Sequence, residues 1–256
     1  MKPRAIRIYS FLYVLVKDWW FYGLWRQLLY LLNYKISKPE KLNILLIYSS
    51  GRTGSTVLCS TLSKSQAMKY DDEILRKKLI HYPSFVLGHA QKNKKSWYLI
   101  KIKQMNLDRL GVSLTTFIDN LGSQNIYKIH LLRSNEFEHS ISRFIAKKRN
   151  IYNSKKEVTN TKSKIVISFN KLKDKILWQR GENNREKTET KGLDFLNLTY
   201  ESHISTSNKL IETQELIFKQ LGIEGKGAKP EYIKVLSTDL SQEISNWDEI
   251  KLLQNL

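Results

Sequence analysis

The 256 residues carry 43 lysines and arginines against 24 acids, a formal net charge of +19, while 41% are hydrophobic. That apolar share excludes a disordered polycation and suits one domain with a proper core. The basic excess invites a polyanion, but no basic repeat, zinc-ligand spacing or aromatic RNA-binding signature accompanies it, which argues against nucleic acid; the lone Cys59 excludes an internal disulfide and fits a reducing compartment.

Residues 4–34 hold the runs IYSFLYVLV, WWFYGLW and LLYLLNY, broken by Lys17, Asp18 and Arg26. No uncharged run reaches the roughly 18–20 residues of a spanning helix, and no small-residue cleavage site follows. Aromatics interspersed with cations suit a helix lying on a membrane surface, and equally a helix packed on a domain. Residues 1–40 therefore read as a separate aromatic, basic segment and 41–256 as the main domain, entered at Pro39.

Residues 43–48 are a mostly aliphatic run without alternation, which predicts a fully buried strand. Residues 56–62 predict a helix whose Val57, Leu58, Thr61 and Leu62 face a core, with Cys59 as a packing residue. Between them lies GRTGST. A strand, a tight loop and a helix aim backbone N–H groups and a helix N-terminus at one spot, which favours an anion. Gly51 and Gly54 permit positive φ, Ser49, Ser50, Thr53, Ser55 and Thr56 supply hydroxyls, and Arg52 supplies a charged planar fork. The nucleoside-triphosphatase loop, GxxxxGK[ST], is excluded, because only two residues separate these glycines and no lysine is present.

Next comes YDDEIL, where Asp71, Asp72 and Glu73 crowd together; neighbouring carboxylates are expected to raise one another's pKa. Residues 97–103 predict a strand with Lys101 and Lys103 on one face and Ile100 and Ile102 on the other. Residues 127–132 predict a second buried strand, containing a packed His130 and ending at Arg133. Ser134 and Asn135 are N-cap candidates for the helix that follows, with Glu136 and Glu138 in its first turn and Lys147, Lys148 and Arg149 in its last, as the helix dipole prefers. His139 lies on this helix and is a minor rival for acid–base work. Residues 153–164 read as a polar loop, 165–179 as an extended IVIS leading into a helix, and 180–191 as helix end and exposed turn. A strand ending in Tyr200-Glu201 and an amphipathic helix at 212–221, stopped by Gly222, complete the pattern. Strands alternating with helices predict a parallel α/β sheet with crossovers.

On these residues the chain resembles the sulfotransferases that use 3′-phosphoadenosine 5′-phosphosulfate (PAPS), in the carbohydrate and lipopolysaccharide branch with its nodulation and trehalose enzymes. That branch carries an SGRTGS-type loop, an arginine closing a later strand with a serine about two turns into the next helix, and an acidic stretch after the first helix. The resemblance spans roughly residues 42–256, with supporting similarity at 195–201 and 236–250, and implies a three-layer α/β/α, P-loop-like fold. It implies that Arg52, Thr53, Gly54, Ser55 and Thr56 hold the 5′-phosphosulfate, and that Arg133 holds the 3′-phosphate together with Ser142 or Ser140. Glu73 would be the general base, with Asp72 its nearest rival, and Arg52 would stabilise the leaving phosphate. No metal is expected. The implied activity is sulfuryl transfer to a hydroxyl of a carbohydrate or glycolipid, by a cytoplasmic protein able to meet a membrane peripherally through residues 4–34. Two other readings stand beside it: a nucleotide-dependent kinase with an atypical phosphate loop, and a non-enzymatic membrane-associated protein.

Overall fold

The computed structural model describes residues 41–76, 79, 81–93, 95–150, 164–231 and 239–256. The segment 1–40, nearly all of the polar loop 153–164 and the start of 236–250 lie outside the described residues.

The strand expected at 43–48 is β1, Asn43–Ser49, and it sits at the centre of the sheet. With β2 (Met68–Tyr70), β3 (Trp97–Ile102), β4 (Asn125–Leu132) and β5 (Leu196–Thr199), it forms a five-stranded sheet in the order β2-β3-β1-β4-β5. Every pairing is parallel. Its unbroken apolar run follows from burial on both faces. Ile44, Leu46 and Tyr48 belong to one core, whereas Leu45 and Ile47 belong to another. The first core is closed by α2 (Tyr82–Lys92), α3 (Gln104–Leu110) and α4 (Leu114–Asp119), through Val86, Leu107 and Phe117. The second is closed by α1 (Ser55–Leu62) and α8 (Ser207–Leu221), through Leu58, Leu62, Ile217 and Phe218. The fold is thus three-layered, α/β/α, as the resemblance implies. Cys59 is wholly buried in this second core, and burial pushes its thiol up to about 12, so it packs rather than reacts.

α5 (Glu136–Arg149) follows β4, and Asn135 caps it by accepting from the Glu138 amide, as expected. α6 runs over Phe169–Thr190, which corrects the expectation that 180–191 is a helix end and turn. The stretch looks solvated because its inward face is polar: Gln179, Asn183, Glu186 and Thr190 are buried, at helical spacing. Asn183 donates to the Arg133 carbonyl at 3.3 Å and accepts from Gln179 at 2.9 Å, so hydrogen bonds stand in for apolar contact. Tyr200 and Glu201 leave β5 and open a short helix, α7 (Tyr200–His203). Near the C-terminus Ile244 pairs with Ile165, and the Asn246 side chain both donates to the Ile167 carbonyl and accepts from its amide; α9 (Trp247–Ile250) follows. Among the described residues no helix is long and apolar enough to cross a membrane.

Candidate active site

The C-terminal ends of β1, β3 and β4 come together because β1 lies between the other two. In an open α/β sheet, ligands bind outside the carboxyl ends of the strands where the chain reverses direction across the sheet. The loop after β1 stands at that point. Thr53 closes it by donating from Oγ1 to the Ser50 carbonyl at 3.0 Å. Gly54, at φ 82°, occupies the N-cap of α1, where no side chain caps the helix and the first turn holds no acid. The opening N–H groups of α1 thus have no side-chain cap, the setting in which a helix N-terminus attracts an anion. A Cβ on Gly54 would lie 2.8 Å from Ile204 Cδ1 and 3.1 Å from Tyr200 Cδ2, so glycine is demanded by close approach as well as by φ. The sequence offers Gly51 as a second left-handed residue; in the structure that residue is Arg52, at φ 69°. A non-glycine residue held there is strained, as residues at binding loops often are.

Helix α5 holds the loop from the side. The Gly51 carbonyl accepts from His139 Nε2 at 2.7 Å and from Arg143 at 2.9 Å. A carbonyl only accepts, so Nε2 carries the hydrogen; Arg143 Nε, 3.4 Å from the same nitrogen, is then a neighbouring donor and not a hydrogen-bond partner, and Nδ1 is bare. Burial, reinforced by the Arg143 charge, drives the imidazole down to about 3. His139 is thus a neutral brace, which corrects its candidacy for acid–base work. Arg52 Nε donates to Ser142 Oγ at 3.2 Å. Of the two candidate serines, Ser142 reaches the loop; the Ser140 hydroxyl is buried on α5 with no hydrogen-bond partner among the described residues.

Arg133 leaves β4 buried, donates to Glu138 at 2.9 Å and places its guanidinium 4.5 Å above the Tyr200 ring. The ring that packs against Gly54 therefore also carries Arg133. Sequence reasoning gives Glu201 no firm role, yet its carboxylate takes the Ser134 amide at 3.1 Å, the Ser134 hydroxyl at 2.8 Å and the Asn135 amide at 3.0 Å. Burial raises the Glu201 carboxyl, but the Asn135 and Ser134 donors outweigh it and hold the group below its ordinary range.

The acidic triplet diverges. Asp71 turns to His89 at 3.3 Å and Lys69 at 3.1 Å, and the His89 hydrogen bond, against burial and with help from Lys69, brings it down to about 2. Asp72 accepts from the Tyr70 hydroxyl at 3.1 Å. Glu73 alone of the three is linked to the start of α1. Lys101, its side chain 1% exposed, sets Nζ 3.0 Å from Glu73 Oε1 and 3.0 Å from Thr56 Oγ1 in the first turn of α1. Lys103 grips the same Glu73 oxygen. Burial would raise the Glu73 carboxyl, but Lys103 and Lys101 together drive it to about 2, which reverses the expectation of a raised value. A lysine inside an otherwise apolar strand was the available signal for this link.

A pH dependence follows. The folded value of about 2 lies below the unfolded 4.5. The stability contributed by Glu73 is accordingly present above pH 4.5 and lost as pH falls through 2. Urea unfolding of wild type and Glu73→Gln should differ near pH 6 and converge toward pH 2, the gap being modest because the Glu73 side chain is 28% exposed.

Among the described residues no group of three or more His, Cys, Asp or Glu side chains is placed to hold a metal ion. No family model and no curated protein sequence matches the chain. Among solved structures, a sulfotransferase from Alicyclobacillus acidocaldarius aligns with a TM-score of 0.48 and 9% identity, over 85% of this chain and 97% of its own. The sulfotransferase domain from the curacin biosynthetic pathway aligns with a TM-score of 0.40 and 12% identity, over 78% of this chain and 80% of its own.

Proposed function

We propose that the chain is a sulfotransferase moving a sulfuryl group from PAPS to a hydroxyl of a carbohydrate or glycolipid. The observation that carries this reading is the buried Lys101, which joins an uncapped helix N-terminus to a carboxylate through Thr56 and Glu73. The donor would lie with its 5′-phosphosulfate against Arg52 and the amides of residues 53–56, and its 3′-phosphate toward Arg133 and Ser142. It supplies a sulfur that exchanges its bridging oxygen for the acceptor oxygen, the bond pair leaving with the phosphate. Glu73 takes the hydroxyl proton as the new S–O bond forms. A carboxylate at about 2 is a weak base while two lysines hold it. An anion at the α1 N-terminus shares the Lys101 charge, loosens that hold and raises the basicity of Glu73 when a donor is in place. Arg52 and the α1 amides meet charge growing on the leaving group, as positioned donors do in phosphoryl transfer. If the acceptor is a glycolipid, residues 4–34 would lie at the surface that presents it, on the cytoplasmic side. A kinase reading is disfavoured because GRTGST lacks the phosphate-loop lysine, and Asp71 and Glu73 are each engaged by cations.

Calorimetric titration with 3′-phosphoadenosine 5′-phosphate (PAP), AMP and ATP tests the reading. Wild type should prefer PAP. Arg133→Ala should lose that preference by about 10- to 100-fold, the scale of a hydrogen bond to a charged group. Equal affinity for PAP and AMP in wild type would overturn the nucleotide assignment.

A further inference from the structure

Beside the loop, two cations from two helices converge on one indole. Arg143, which holds the Gly51 carbonyl, lies 5.1 Å from the centre of the Trp178 ring, and Lys175 Nζ lies 3.3 Å from it. Lys147, an exposed residue one turn along α5 from Arg143, adds its field to Lys175. Burial, then the charges of Arg143 and Lys147, press the Lys175 amine down to about 8. Glu186 and then Glu182 act on Arg143, and Glu182 on Lys175, at longer range. Among the described residues no carboxylate lies within ion-pairing distance of Arg143, Lys147 or Lys175. The indole of Trp178, itself 45% exposed, is the neutral partner that Arg143 and Lys175 share. A π-face attracts cations without using up their N–H donors. Like charges gathered this way repel one another until an anion arrives.

We propose that Arg143 and Lys175, gathered at Trp178, form a second oxyanion subsite that takes a carboxylate or sulfate group carried by the acceptor. The proposal rests on the sulfotransferase reading and deepens it: the acceptor is an anionic saccharide. The same chemistry would suit a nucleotide phosphate, so the experiment separates the two sources. Protein saturated with PAP, which fills the loop, is titrated with inorganic sulfate, tetragalacturonate and neutral maltotetraose. Tryptophan fluorescence is followed, with Trp178→Phe as reference. Sulfate and tetragalacturonate should bind with an affinity that falls as salt rises, and maltotetraose should not. Lys175→Gln should weaken both anions roughly tenfold, the loss of one charge-assisted hydrogen bond, and shift PAP affinity by less than twofold. Silence toward both anions, or equal binding by Lys175→Gln, overturns the subsite. A tenfold loss of PAP affinity in Lys175→Gln, with no anion binding to the PAP complex, assigns the cations to the nucleotide and overturns it too. If PAP itself fails to bind, the sulfotransferase reading falls, and the difference between wild type and Lys175→Gln in sulfate binding to the free protein still decides the subsite.

Discussion

Gly54→Ala is expected to destabilise the domain by on the order of 3 kcal/mol and to abolish PAP binding together. At φ 82° a side chain is strained in its own backbone, at about 1–2 kcal/mol. The added methyl would also sit 2.8 Å from Ile204 Cδ1 and 3.1 Å from Tyr200 Cδ2, so these must move or the loop must. Either shift opens the α1 N-terminus, and a shift of Tyr200 also disturbs the ring beneath Arg133. Gly222→Ala is the control. Its φ is 65°, yet nothing lies within 4 Å of the added Cβ, so it reports the backbone part alone. Urea midpoints for the two variants, with PAP calorimetry, separate clash from strain. Equal midpoints would mean the contact with Ile204 and Tyr200 is soft.

Lys101→Met is expected to lower turnover by about 10²–10³-fold, the usual loss for a positioned charge at a reacting centre. Methionine keeps much of the volume but removes the ammonium that touches both Thr56 and Glu73. Glu73 keeps Lys103, so its carboxyl rises from about 2 without becoming free. The readout is PAP released per enzyme, with acceptor or water taking the sulfuryl group, followed across pH. Wild type should hold its rate down the acid side, and the variant should lose activity at a higher pH. A purely structural lysine would lower the unfolding midpoint and leave the shape of that profile unchanged.

The parts legible from sequence are those where one physical signal dominates. β1, α1, β4 and α5 announce themselves through apolar runs, a small-residue loop and an Asn135 cap. The parts missed are those where a polar residue does what an apolar one usually does. The second half of α6 reads as solvated because Gln179, Asn183, Glu186 and Thr190 carry its buried face. The acidic triplet reads as mutually repelling because sequence shows its neighbours along the chain and not the lysines that β3 brings across. Glu201, sixty-odd residues beyond Ser134, meets its amides only once β5 lies beside β4. The left-handed position at Arg52 could not be foreseen with two glycines nearby to take the role.

The central placement of β1 also governs how the chain can be made. One neighbour of β1 comes from residues 98–102 and the other from 125–131. The side chains that hold its loop, His139, Ser142 and Arg143, come later still. While the chain emerges from a ribosome, the most apolar strand of the sheet has one unpaired edge until residue 131 has been delivered. Long-range parallel pairing is slow to form, and such edges attract other chains. Synthesis therefore passes through a stage in which β1 needs shelter, and the loop after it takes shape only after α5 has cleared the exit tunnel.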